Sequence, residues 1–263
     1  MFSRLWKKVA GKPFGYQGRR RASRGSLAGV LQHARNLGLA PKTIFDVGAA
    51  YGQFALRCRS IFPDAKYILV EPLEEYAPFL EEVVATIPTA EYVRAAAASQ
   101  RGQITINVHR DLVGSSLYLE QEDSSVNGVP RTVPAVTIDG LMHERKCPPP
   151  FLIKVDVQGA ELDVLSGATA ALRSSEYVLL EVSFFEFFKD GPQFHDVIAF
   201  MKSQGFVTYD IYGLQHRPLD NALSQADLAF VRERGSFREH HYYATQDQRE
   251  QQDRALKSPR KTT

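Results

Sequence analysis

Three carboxylates stand at the ends of short apolar runs in this chain: Asp46 in Thr43–Val47, Glu71 after Tyr67–Val70 and Asp156 after Phe151–Val155. Such runs read as buried strands, so the three acids fall at strand ends. In alternating α/β sheets, ligands sit in the crevice outside the carboxyl ends of the strands. The first acid heads the turn Asp46-Val47-Gly48-Ala49-Ala50-Tyr51-Gly52. A strand that passes through a glycine-containing turn into a helix makes a backbone-lined pocket. Gly48 would let a ligand approach the main chain, and Gly52 would let the helix start tightly. Glu71, 23 residues after Gly48, is placed to accept hydrogen bonds from both hydroxyls of a ribose. Recognition of a nucleoside is the chemistry these spacings suggest.

The dinucleotide pattern GxGxxG would need glycine at 48, 50 and 53, but Ala50 and Gln53 occupy two of those places. Its second glycine exists to bring backbone against a pyrophosphate. No Gly-Lys-Ser/Thr follows Gly52, so a phosphate-cradling P-loop is absent too. A nucleoside without a phosphate, S-adenosylmethionine (SAM), therefore suits the loop better than NAD(P). A turn that serves only the fold is the reading left beside it.

A second cluster, Lys154-Val155-Asp156-Val157-Gln158-Gly159-Ala160-Glu161, leaves another strand end. Methyl transfer from a sulfonium is an in-line displacement, and alignment of the acceptor contributes roughly 7–11 kcal/mol. A neutral hydroxyl is a poor nucleophile, and a nearby base adds about 10²–10⁴-fold. Asp156 is the candidate base, with a helix N-cap as its competing role. Lys154 either steers an anionic or hydroxyl-rich substrate or pairs, as a strand residue, with Glu181. Glu161 reads as a first-turn residue that suits the helix dipole. Gln158, Glu181, Ser115 and Ser116 are the expected acceptor contacts. Phe184, Phe185, Phe187 and Phe188 either shape the acceptor site or pack the core.

These groups need a scaffold to bring them together. Leu27, Val30, Leu31, Ala34 and Leu37 recur at helical spacing before Gly38. Strands are expected at Thr43–Val47, Tyr67–Val70, from Tyr92, and at Phe151–Val155, Tyr177–Val182, Phe206–Tyr212 and Leu228–Val231. Between them, Phe54, Cys58, Ile61 and Phe62 mark one helix and Leu73, Ala77, Leu80, Val84 and Ile87 a second. A single helix is expected over 160–172, and Phe194, Val197, Ile198 and Met201 mark another, closed by Gly205. This alternation predicts a doubly wound α/β domain over 26–245, with a mostly parallel sheet of the seven-stranded type and an antiparallel last strand. About 102–150 reads as an insert. Ile104, Ile106 and Val108 alternate, as Val133, Ala135 and Thr137 do in part, around Gly114-Ser115-Ser116 and Asn127-Gly128, so an antiparallel piece or lid is predicted there. A basic leader (1–25) and a polar tail (246–263), expected to be disordered, flank the domain.

The 263 residues are 44% hydrophobic, enough for one large core. The richest apolar stretch, Tyr177 to Phe188, is broken by Glu181 and Glu186, and none approaches the roughly 20 residues of a membrane span. No apolar run follows the first basic residues, so a cytoplasmic location is expected. Cys58 and Cys147 lie far apart in no metal spacing, and Cys58 falls on an apolar helix face. Residues 1–45 hold ten basic and no acidic side chains, leaving 22 basic and 30 acidic behind them, a formal −8. The leader is either a solvated arm or a contact for an anionic membrane. Nucleic acid is disfavoured, because the domain is negative and lacks a basic–aromatic face.

In this order, the residues resemble the FkbM family of SAM-dependent methyltransferases. The likeness runs from about Thr43 to Val231. It rests on Phe45-Asp46-Val47-Gly48-Ala49 with Gly52, on Val70-Glu71-Pro72 and on Val136-Thr137-Ile138-Asp139. Its most specific part is Ile153 to Glu161 with Val164-Leu165 and Gly167-Ala168, followed by Leu180-Glu181. The resemblance implies a Rossmann-like class I fold and SAM held by Asp46, Gly48, Gly52 and Glu71, with Ala49, Phe54 and Pro72 beside them as further expected cofactor contacts. It also implies that an acceptor faces Asp156, and that a hydroxyl of a sugar, glycan or secondary metabolite is methylated. Many relatives carry Glu where Gln158 stands, which speaks against a two-carboxylate metal site, so no metal is expected. A small-molecule O- or N-methyltransferase is one alternative. A membrane- or nucleic-acid-associated binding protein working through the leader is the other.

Overall fold

A parallel strand covered by helices on both faces must be apolar at nearly every position, and the inner strands of this chain are. In the computed structural model, which describes residues 23–122 and 126–257, strands and helices alternate from the start. Leu27–Asn36 (α1) is followed by Thr43–Val47 (β1), Gln53–Arg59 (α2), Lys66–Val70 (β2), Ala77–Thr86 (α3) and Ala90–Val93 (β3). The insert contributes Ala96–Ala97 (β4), Gly102–Val108 (β5), Val129–Val136 (β6) and the helix Ile138–Glu144 (α4). The alternation then resumes with Phe151–Val155 (β7), Glu161–Ser166 (α5), Thr169–Arg173 (α6) and Ser175–Ser183 (β8). Phe194–Ser203 (α7), Phe206–His216 (β9), Leu223–Arg232 (β10) and Gln246–Lys257 (α8) complete it.

Seven strands form one sheet in the order β3-β2-β1-β7-β8-β10-β9. All run parallel except β10, which opposes both of its neighbours. The doubly wound fold with an antiparallel last strand, expected from the sequence, is the one observed. The chain builds outward from β1 to β3 and returns to β7 on the other side of β1. That switch point is where such sheets open a crevice. Successive side chains enter separate cores. Ile44, Leu69, Leu152 and Leu179 pack with α1, α2 and α3, while Phe45, Ile68, Ile153 and Leu180 pack with α4 to α7. Leucines buried this way typically cost about 2–5 kcal/mol when cut to alanine, so both layers hold the strand ends in place.

The insert forms its own sheet, β4-β6-β5, with β5 antiparallel to β6. Ile106, Val108 and Val133 join the core on the α1–α3 side. Thr137, read as a strand residue, instead caps α4, its hydroxyl accepting from Gly140 N at 3.0 Å. The single helix expected over 160–172 is two helices, broken at Gly167-Ala168. The cause lies in α4: Asp139 accepts from Ala170 N and Ala171 N at 2.9 and 2.7 Å. It thereby satisfies the first N–H groups of a separate helix. The tail, expected to be disordered, forms α8, with residues 246–256 exposed. Of the leader only residues 23–25 are described; the rest, and any membrane contact through it, lie outside the described residues. Among the described residues no helix is long and apolar enough to cross a membrane.

Candidate active site

The turn after β1 passes between the ends of β2 and β7. A Cβ on Gly48, at φ +71°, would lie 1.8 Å from the Asp156 carbonyl oxygen. The neighbouring strand end therefore demands a glycine here, and Gly48 also lines both cavities of the site. Gly52, at φ +70°, precedes α2, and a Cβ there would meet Val83 Cγ2 at 2.7 Å, so it lets α2 pack on α3. Glu71 is buried at the end of β2, where its Oε2 accepts from Ala50 N and its Oε1 from Leu73 N, both at 3.0 Å. A carboxylate has about four acceptor sites, so each oxygen keeps one for a ligand hydroxyl. Burial raises its pKa, against the pull of the two N–H groups. Val70, Glu71, Pro72 and Tyr76 line a first cavity here, closed from the insert by Ile106 and Leu117. Ala49 and Phe54 are core residues that also line a second cavity.

On β7, Lys154 Nζ donates to the Gly48 carbonyl at 2.8 Å and lies 3.5 Å from Asp46 Oδ1 and 3.3 Å from Asp156 Oδ2. The pairing with Glu181 does not form, because the sheet register sets Lys154 beside Asp46 instead. Burial opposes the ammonium's charge, but Asp156 and Asp46 outweigh it and hold its pKa above the usual lysine range. Asp46, fully buried, is pushed up to about 6 by burial despite Lys154. Asp156 does not cap a helix: Ala160 precedes α5 with no side-chain cap bond. Its side chain is 37% exposed and lines both cavities.

Glu161 does more than favour the dipole. Its Oε1 accepts from Val157 N and Gly159 N at 3.1 and 3.2 Å, and burial pushes its pKa up to about 7. These bonds grip the backbone on either side of Gln158, which sits at φ +54°. Ser116 Oγ adds a third grip, donating to the Gln158 carbonyl at 2.6 Å. So held, Gln158 Nε2 donates to Asp156 Oδ1 at 3.1 Å and to Glu181 Oε2 at 2.7 Å. Gln225 and Gln215 amides also donate to Glu181, at 3.1 and 3.2 Å. Its pKa is pushed up to about 8 by burial and then by Asp156.

Ser115 and Ser116 line the first cavity, but their hydroxyls are engaged: Ser115 accepts from His109 N, and Ser116 from Tyr118 N. They shape the loop. The aromatic group after β8 does not wall either cavity. Phe188 is buried, Phe184 stacks on Phe194, and Phe185 lies beside Phe187 under the Arg217 guanidinium. Sequence reasoning missed Tyr212 and Asp227, which line the second cavity. The one signal for Asp227 was a charge directly before the apolar run Leu228–Val231. Gly48, Ala50, Val113 and Asp156 line both cavities, which are thus one crevice over the ends of β1, β7 and β8. The second part alone measures about 370 Å³, within the range of small-molecule sites.

Residues 46–208 match the methyltransferase FkbM domain. The hexuronic acid methyltransferase AglP of Haloferax volcanii is 29% identical over 140 residues, covering 53% of this chain and 55% of AglP. The match thus spans about half the length of that relative. Among solved structures, the methyltransferase FkbM of Methylobacillus flagellatus KT aligns at 17% identity and TM-score 0.41, over 72% of this chain and 43% of that one. Magnesium protoporphyrin IX methyltransferase (ChlM) of Synechocystis PCC 6803, with bound SAM, aligns at 11% and 0.46, over 86% and 89%. The domain match takes in the turn after β1, Glu71, the insert and the Lys154–Glu161 segment, and the chain belongs to the FkbM methyltransferase family.

Proposed function

We propose that this protein transfers the methyl group of SAM to a hydroxyl of a sugar, a glycan or another polyhydroxylated acceptor. The observation that carries the reading is Asp156, which faces both halves of one crevice. The half at Glu71 suits a nucleoside, with apolar walls for a base and a fixed carboxylate whose remaining lone pairs match two ribose hydroxyls. The half at Glu181 and Asp227 is rich in hydrogen-bond acceptors and suits a ligand that donates hydroxyls. That a relative is a hexuronic acid methyltransferase supports a sugar-type acceptor.

When bound, SAM supplies an electrophilic methyl group on a sulfonium. The residues of this chain then have three tasks. Glu71 and the turn after β1 hold the nucleoside. The walls of the second half align the acceptor oxygen, a contribution of roughly 7–11 kcal/mol at most. Asp156 accepts the hydroxyl proton, which adds about 10²–10⁴-fold. Lys154 holds one oxygen of Asp156 and Gln158 the other, so the carboxylate meets the acceptor in a fixed orientation.

Two measurements test the two halves. Calorimetry with the demethylated product S-adenosylhomocysteine (SAH) should show one site, and no detectable binding to the folded protein overturns the donor assignment. A labelled-methyl screen over carbohydrate and lipid extracts should place the label on a hydroxyl; label found only on nitrogen overturns the acceptor assignment.

A further inference from the structure

One carboxylate at the inner end of the second half-crevice has no counterpart in the protein. Asp227 on β10 is half-buried beside Glu181 and Tyr212, its register partners on β8 and β9, and lines the cavity with them. Glu181 is held by three glutamine amides. Asp227 makes no side-chain hydrogen bond or ion pair among the described residues. Even a half-buried carboxylate without a partner costs free energy, yet the fold is shaped around this one. β9 bulges so that Gly213 and Leu214 stand opposite the single residue Ala226. Gly213 takes the left-handed φ of +60°, and a Cβ on it would lie 2.1 Å from Asp227 Oδ2. Bulges of this kind re-aim side chains beside binding sites. Here bulge and glycine together make room for a carboxylate that serves no contact inside the protein. Burial, and then Asp156, push its pKa up to about 7.

We propose that Asp227 binds the acceptor, accepting a hydrogen bond from a hydroxyl of an uncharged polyhydroxylated molecule, and makes the inner crevice selective for neutral sugars over uronates. This rests on the methyl-transfer reading above. The wall presents Asp156, Glu181 and Asp227 against two cations, the exposed Arg57 and Lys154, whose ammonium is already engaged by Asp46, Asp156 and the Gly48 carbonyl. A hydroxyl that enters finds acceptors on every side. A ligand carboxylate would add negative charge beside Asp156, where burial and then Asp156 already push Glu181 up to about 8 and Asp227 up to about 7. Of the two lining cations only the exposed Arg57 is unengaged among the described residues. A uronate would have to turn its acid outward.

The test compares the full-length protein with Asp227→Asn in labelled-methyl transfer from SAM to methyl glycosides of neutral hexoses and of the matching hexuronates. SAH affinity and thermal midpoint are measured on the same samples. The wild type should favour the neutral glycosides by about tenfold or more in kcat/KM, and Asp227→Asn should raise their KM by about tenfold or more. SAH affinity should be unchanged, and the midpoint should not fall, since a half-buried carboxylate without a partner has been removed. A merely structural Asp227 would lower the midpoint and leave KM alone. Should the Asn variant fail to fold, Asp227→Ala gives the same readout. Equal or better use of hexuronates, an unchanged KM, or no methylation of any neutral glycoside by protein that binds SAH overturns the inference and leaves the donor site standing. Wild-type protein that does not bind SAH overturns the underlying methyl-transfer reading, and this inference with it.

Discussion

Glu71→Gln alters the crevice with almost no change in shape, and its effect can be worked out from two distances. The carboxylate oxygens each take a backbone N–H at 3.0 Å, one from Ala50 in the turn after β1 and one from Leu73 after β2. An amide has one oxygen, so it can serve only one of them. The other N–H is left facing an NH₂ group, at about 1–3 kcal/mol for a buried donor without a partner. The ligand meets the same deficit. Two ribose hydroxyls that donated to a charged carboxylate would find one neutral acceptor, and the loss comes to about 2–4 kcal/mol. SAH binding should therefore weaken by about 30- to 1,000-fold. Calorimetry reads the affinity, and urea unfolding of the same protein reads the brace between Ala50 and Leu73. If the unfolding midpoint falls while SAH binds within about threefold of wild type, Glu71 is only a brace and the ribose assignment is wrong.

Asp156→Asn should lose about 100-fold or more in turnover with SAH affinity unchanged; a near-normal rate would place proton acceptance elsewhere. Gly48→Ala should destabilise the protein by more than about 2 kcal/mol in urea, because its Cβ would lie 1.8 Å from the Asp156 carbonyl; a stable variant contradicts the close approach. Stability should fall with rising pH across neutrality. Glu161 and Glu181 are pushed from 4.5 up to about 7 and about 8 by burial, so the folded state binds more protons than the unfolded one and the slope of stability against pH is negative. Their contribution is complete below the unfolded value and is lost as pH rises through 7 and 8, so the thermal midpoint should drop from about pH 5 to about pH 8. Glu161→Gln should flatten that fall, and a midpoint that rises over this interval refutes it.

Element type was legible because it is local. Thr43–Val47 and Phe151–Val155 read as buried strands from composition alone, and Asp46, Glu71 and Asp156 stood out because charge closes an apolar run. What a side chain does depends on its neighbours, and the register supplies those. Lys154 meets Asp46 because β1 and β7 align those two residues, and neither segment states that alignment, so a pairing with Glu181 looked equally good. The break at Gly167-Ala168 is set by Asp139, about thirty residues earlier, through bonds that no helical periodicity records. Asp227 looked like the polar start of a strand; its role depends on a bulge in β9 and on Gly213, which are visible only once β9 and β10 are paired.

The same dependence on register separates the site residues by what they control. Glu71 lines only the first cavity and Asp227 only the second. Lys154 lines the second cavity and ties it to the turn after β1, because its ammonium joins the Gly48 carbonyl and Asp46 to Asp156, and Gly48 and Asp156 line both cavities. Removing one partner from such a buried set leaves the others uncompensated, at about 3–5 kcal/mol. A change at Lys154 should therefore not separate cofactor binding from turnover, as changes at Glu71, Asp156 and Asp227 do. Lys154 is the residue through which the turn after β1 and Asp156 are held together.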